Sequence, residues 1–296
     1  MKEILFGVMG NMGPEADALF QDILAKEEIK AGAMKDQDHM GVVVVKNPDI
    51  PDRSEAINEG GQDPVPEMVK SAQAMERLGV QFAVMTCNTA HYFREAVQAH
   101  TDVYLVDMLK ATSDRIKAKD PESVVGVLCT NGTYNSGIYD RYLQASGLVF
   151  VKPSPEVQEH CVHSAIYGEV TGEKSAGGQA LRQPNGIKSG VFEPNAERLI
   201  EAINKMEQQG VNTVILGCTE LPLVRGLLEQ RLPHIHFVDP MEVIATDVIE
   251  VYKQAEALLN SGLLSSVPRQ VMAIANNRDL AGYVAAQAAQ RRERGG

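Results

Sequence analysis

Two cysteines stand in matching frames, one in each half of the chain. Around Cys87 the sequence reads ERLGVQFAVMTCNTAH, and around Cys218 it reads EQQGVNTVILGCTELP. In both, a Gly-Val pair (Gly79-Val80, Gly210-Val211) opens an apolar run, and the cysteine follows the glycine by eight residues. Each frame leads through a helix-like segment to a second apolar run ending in Val-Asp. Asp107 lies 20 residues after Cys87, and Asp239 lies 21 after Cys218. Two thiols on duplicated scaffolds can face each other across a cleft. Such a pair can remove a proton from one face of a carbon and return one to the other.

The elements that must position these thiols alternate along the chain. Strand candidates are residues 4–10, 41–48, 82–87, 103–107, 124–129, 148–153, 213–218 and 236–239. Helical segments are expected at 14–32, 64–79, 90–99, 136–146, 193–209, 222–230 and 241–260. The segment at 64–79 has proline at its start and glycine at its end, the usual helix punctuation. Strand–helix alternation of this kind implies parallel sheets with helices on both faces. The halves also match at their starts: GVMGNMG (7–13) aligns with GVLCTNG (126–132). The fold class expected is therefore α/β, with two pseudo-symmetric domains, each a parallel sheet flanked by helices, and the active site between them. The boundaries expected are 1–107 plus 240–296 for one domain and 108–239 for the other. Residues 168–190, rich in Gly and polar types, read as a long functional loop, and the tail from about 266 reads as a solvated helix with a frayed end.

In open α/β sheets, ligands bind at the carboxyl ends of the strands. Cys87 and Cys218 end strand-like runs and precede helices, where a helix dipole is expected to lower a thiol's pKa. Asn88, Thr89 and Thr219 follow the cysteines, and Thr130 and Thr133 lie in the second glycine turn. Their side chains and backbone N–H groups can hold a carboxylate or cap a helix. His91 is open to a role in the cleft or in the core. Cys129 and Cys161 read as small core residues, and Cys129 has no counterpart in the other half.

The chain has 296 residues, 44% hydrophobic and 23% charged, ordinary values for a soluble globular protein of two domains. A net charge of −11 excludes a general nucleic-acid binder, which would need a basic patch. No stretch approaches the roughly 18–20 apolar residues of a membrane span. The N-terminal apolar run meets Gly, Asn and Pro and reads as a first strand, so a cytoplasmic protein is expected. Four cysteines without a CxxC and seven histidines without HExxH spacing predict no metal site.

At these residues the sequence resembles the aspartate/glutamate racemase superfamily, and specifically its aspartate racemase branch. The motifs that carry the resemblance are GNMGPEA, NPDIPDRSEAI, MTCNTAH, LCTNGTYNSGIYDRYL and LGCTELPL, which run in family order from residue 7 to about 240. Glutamate racemases proper resemble it less, because Glu220 stands where their second motif has histidine. The resemblance implies a cofactor-independent racemase in which Cys87 and Cys218 are a two-base pair acting on an acidic amino acid: aspartate, glutamate or a broad range. It implies that the α-carboxylate rests on Asn88, Thr89 and the Thr130/Thr133 turn, and that the side-chain carboxylate meets Arg53 and a lysine. Met12, Thr219 and Glu220 are carried over as further substrate-binding positions, and a homodimer is expected. Two departures stand out. Asn11 replaces the usual second glycine of the first motif. The family lysine is expected just after IYGEV (166–170), where Thr171 stands, which leaves Lys188 and Lys174 as candidates. The competing readings are a related cysteine-dependent maleate isomerase or decarboxylase, a non-catalytic amino-acid-binding protein, and a redox sensor. The paired cysteines weigh against the decarboxylase, and serine or threonine would bind a carboxylate as well as cysteine does.

Overall fold

The computed structural model describes residues 2–261 and 276–293. Ten strands form: β1 (Leu5–Gly10), β2 (Gly41–Lys46), β3 (Phe82–Met85), β4 (Tyr104–Leu105), β5 (Val124–Cys129), β6 (Val149–Val151), β7 (Val170–Lys174), β8 (Ala180–Arg182), β9 (Thr213–Gly217) and β10 (His236–Val238). Eight of them make two four-stranded sheets, ordered β2-β1-β3-β4 and β6-β5-β9-β10, in which every pair is parallel. The two orders are the same once β5, β6, β9 and β10 take the places of β1, β2, β3 and β4. The duplication legible around the cysteines is therefore a duplication of topology.

The central strands read as unbroken apolar runs because parallel sheets are covered on both faces. All residues of β1, β3 and β9 are buried. One core joins the halves: Phe6, Val8, Phe82 and Val84 of the first sheet pack in the same cluster as Val125, Val127 and Ile215 of the second. Each sheet's other face has its own cluster, around Met68, Met75 and Met85 in the first and around Leu199, Ile203 and Leu216 in the second. The long Pro240–Ser261 helix packs on helices Pro14–Lys30, Met108–Lys119 and Asn277–Glu293.

Two expectations are corrected. Residues 168–190 do not form an open loop: β7 and β8 pair antiparallel as a hairpin, and a one-turn helix follows at Ile187–Ser189. Gly178, at positive φ, permits its turn, and Gly172, also at positive φ, lies in β7 where the register shifts. The tail helix is not solvated, since Leu280, Ala281, Tyr283, Val284, Ala285 and Ala288 are all buried. The earlier part of that tail, through residue 275, lies outside the described residues. The helical segments Met108–Lys119 and Pro155–Tyr167 went unread in the sequence.

Candidate active site

The carboxyl ends of the two sheets face each other. Cys87 lies two residues beyond β3 and Cys218 one beyond β9, and both are buried. The halves are stitched directly across this junction. Thr89 Oγ1 lies 2.9 Å from Thr130 Oγ1 and 3.0 Å from Thr133 Oγ1. The Tyr139 hydroxyl donates to Asn88 Oδ1 at 2.6 Å, and the Tyr167 hydroxyl donates to Asp52 at 2.8 Å. The Thr219 hydroxyl donates to the Thr86 carbonyl at 3.3 Å. A Cβ added to Gly132 would lie 2.8 Å from Ser54, so this glycine allows the second half to close on the first. Asn11, at φ 65°, takes the left-handed conformation that the family's glycine would hold; asparagine tolerates it better than most residues.

Three buried donors at the junction lack a nitrogen or oxygen acceptor: Asn88 Nδ2, next in the chain to Cys87, Arg53 Nε, whose guanidinium lies beside the Cys87 sulfur, and Ser54 Oγ. Arg53 is 8% exposed. Its Nη1 donates to the Pro51 carbonyl at 2.9 Å, and its Nη2 donates to the Met12 carbonyl at 3.0 Å. Burial alone would lower the pKa of its guanidinium, but the neighbouring Cys87 and Asp52 outweigh that and keep it firmly charged. Buried donors without acceptors are costly, at about 1–3 kcal/mol each. A carboxylate, with two oxygens and about four acceptor sites, would relieve all three. The Thr89, Thr130 and Thr133 hydroxyls meanwhile bond one another, and Thr130 also caps the Asn131–Ser136 helix. His91 holds the Cys87 backbone. The Met108 N–H donates to His91 Nε2 at 3.2 Å, which leaves Nδ1–H to donate to the Cys87 carbonyl at 2.9 Å.

Cys218 has different company. Its thiol donates to Glu220 Oε2 at 2.9 Å, and the Lys188 ammonium donates to Glu220 Oε1. Burial and the adjacent Glu220 push the Cys218 thiol well above its ordinary range, while Lys188 acts in the opposite sense. This corrects the expected depression by a helix dipole. The turns after both cysteines are short 3-10 helices, Thr89–Phe93 and Leu221–Val224, with little aligned dipole to offer. Burial raises Glu220 as well, but Lys188 and the Cys218 thiol outweigh it and leave the carboxyl below the usual range. Lys188 is lowered by burial and raised by Glu220, Cys218 and Cys87, with a net upward shift. Its ammonium lies 5.2 Å from the centre of the Tyr167 ring.

The structure thus gathers Cys87, Asn88, Thr89, Arg53, Thr130, Thr133, Cys218, Thr219, Glu220 and Lys188. Met12 contributes its carbonyl to Arg53 while its side chain sits in the core. Lys174 lies on the exposed hairpin and is not brought in. Cys129 packs in the core, where burial pushes its thiol up to about 12, and Cys161 packs in the second half's outer cluster. The sequence reading missed Ser54, Asp52, Tyr139 and Tyr167. Ser54 and Asp52 adjoin Arg53 and were legible by position, whereas the tyrosines carried no local signal. Among the described residues, no three His, Cys, Asp or Glu side chains are grouped to hold a metal ion. No helix there is long and apolar enough to cross a membrane.

Gly13 makes Glu220's position possible, because a Cβ there would overlap its carboxylate. Gly13→Ala is expected to displace Glu220 from Lys188 or Cys218 and lower kcat by about tenfold to a hundredfold. An unchanged kcat would show that Glu220's position is immaterial.

Residues 21–248 match the family described as Asp/Glu/Hydantoin racemase. The chain is 24% identical over 251 residues to a broad-specificity amino-acid racemase of Bacillus subtilis, covering 84% of this chain and 98% of that one. It is 32% identical over 192 residues to a glutamate racemase of Pseudomonas aeruginosa, covering 62% of each. Its fold superposes on the Picrophilus torridus aspartate racemase with a TM-score of 0.65, at 24% identity over 93% of this chain and 99% of that one. With its two sheets of like order closing on one buried junction, the chain belongs to the Asp/Glu/hydantoin racemase family and is an isomerase of the amino-acid racemase kind.

Proposed function

We propose that the chain racemises an acidic α-amino acid without a cofactor, by proton transfer between Cα and two cysteines. One observation carries the reading: Asn88 Nδ2, Arg53 Nε and Ser54 Oγ, three side-chain donors of the junction that holds both cysteines, are buried without a nitrogen or oxygen partner. The α-carboxylate rests on Asn88, Thr89 and the Thr130/Thr133 turn. The side-chain carboxylate lies toward Arg53 and Lys188. One sulfur, as thiolate, takes the α-proton, and the C–H bonding pair stays on Cα, spread into the carboxylate. The other sulfur, as thiol, delivers its proton to the opposite face. An amino-acid α-proton is a very weak acid, so the developing negative charge needs fixed donors and exclusion of water. Burial of both cysteines and the donor cluster supports this. The same reading divides the chain into residues 1–107 plus 240–296 and residues 108–239, and takes it as a cytoplasmic homodimer.

The purified protein should be incubated in D2O with L- and D-amino acids and no added cofactor. Loss of the α-proton NMR signal together with optical activity is expected, fastest for aspartate or glutamate. No exchange with any member of the panel would overturn the reading in favour of an isomerase of unsaturated acids or a binding protein.

A further inference from the structure

We propose that Glu220, clamped by Lys188, holds the proton on Cys218 and so gives the free enzyme a fixed handedness, with Cys218 as the acid and Cys87 as the base. The assignment of base and acid rests on the two-cysteine reading; the hydrogen bonds themselves do not.

An ionised carboxylate only accepts hydrogen bonds. Glu220 accepts from Lys188 through one oxygen and lies 2.9 Å from the Cys218 sulfur through the other. That second contact requires a hydrogen on sulfur, because a thiolate and a carboxylate at this distance repel in a dry site. Glu220 is 3% exposed and Cys218 is 6% exposed, so water screens little of that repulsion. Among the described residues no carboxylate is hydrogen-bonded to the Cys87 sulfur, and Arg53 and Lys188 lie within electrostatic reach of it.

The contact with Glu220 therefore fixes a proton on the Cys218 side of the pair. In the turnover that starts from it, the Cys87 sulfur's electron pair takes the α-proton and the Cα–H bonding pair remains on Cα. The Cys218 S–H bond then breaks toward Cα and leaves its pair on sulfur. The product state has a Cys218 thiolate beside the Glu220 carboxylate, with Lys188 as the shared counter-ion. Returning the proton from Cys87 to Cys218 runs downhill, by reverse turnover or through solvent. Glu220 is a positioning residue in this scheme, acting on Cα through Cys218 and not as the substrate-binding position that the family resemblance suggested.

The test is made without substrate. Iodoacetamide labelling of the Cys218 peptide is followed by mass spectrometry across pH in the wild type, Glu220→Gln and Glu220→Asp. Glutamine keeps the shape and removes the charge, so Cys218 should ionise more readily. At pH 8 it should be labelled about tenfold faster than in the wild type, with the labelling midpoint moved to lower pH. Aspartate keeps the charge and should leave Cys218 slow. An unmoved midpoint in Glu220→Gln, or equal acceleration by Asp, would mean that Glu220 acts by packing or access, and would overturn the proposal. Because no turnover is measured, the outcome is separable from the proposed activity. Exchange in D2O with an unmoved midpoint removes only the role of Glu220, and a moved midpoint without exchange removes only the racemase reading.

Discussion

Cys218→Ala is expected to abolish racemisation while leaving one-sided exchange intact. With the acid removed, Cys87 can still take an α-proton and return a solvent deuteron to the same face. One enantiomer should then lose its α-proton signal in D2O and keep its optical rotation. Cys87→Ala should confine exchange to the other enantiomer and make it slower than in Cys218→Ala, because Glu220 holds the proton on Cys218. Racemisation should fall in both by at least about a thousandfold, within the range of positioned acid–base catalysis. Cys129→Ala and Cys161→Ala should racemise at the wild-type rate, since both side chains pack among apolar residues. The two readouts distinguish what a single rate cannot. A lone-base mechanism would leave racemisation intact in one of the two site variants, and so would end the two-cysteine reading. Exchange of both enantiomers by either variant would place a third base in the site.

The site's frame was legible in the sequence because it is built from buried parallel strands. Such strands must be apolar throughout, so FAVM and TVILG show as runs, and whatever follows them sits at the ligand-binding edge. The repeat of that pattern marked Cys87 and Cys218 without reference to tertiary structure. Lys188 was not legible in the same way. It and Lys174 sit in one Gly-rich polar stretch, and nothing local separates them. Their difference is tertiary. Ile187 is fully buried and anchors the turn that carries Lys188 to Glu220, whereas β7 leaves Lys174 in solvent. The tail helix misled for another reason. Its alanines at 281, 285 and 288 recur on one face beside Tyr283 and Val284 and are buried. Small side chains bury by close approach, a contribution that a polar-looking AAQAAQ run conceals. The Cys218 environment was misread because the argument rested on a helix dipole. A carboxylate two residues on, aimed back at the sulfur, decides the direction instead.

Arg53→Met is expected to damage both fold and chemistry, and the two losses should separate by substrate. The guanidinium donates to the carbonyls of Pro51 and Met12, tying the start of the Arg53–Asn58 helix to the glycine turn after β1. Methionine would leave those carbonyls without their donor and a half-buried Asp52 without its adjacent cation, which otherwise helps hold that carboxyl below its usual range against burial. A buried acceptor left without its donor costs about 1–3 kcal/mol, so the melting temperature should fall. Arg53→Lys should recover much of that loss, because it restores the charge, but a lysine cannot reproduce the planar set of donors. The chemistry should respond differently. If Nε is the free donor that meets a substrate carboxylate, both variants should lose about a hundredfold or more in kcat/KM for aspartate and glutamate, the scale of a lost charge-assisted bond. Neutral amino acids should lose far less. A uniform loss across all substrates would assign Arg53 to holding Cys87 and the turn, not to reading the side chain. Unchanged kinetics for the acidic substrates in Arg53→Lys would remove it from substrate recognition.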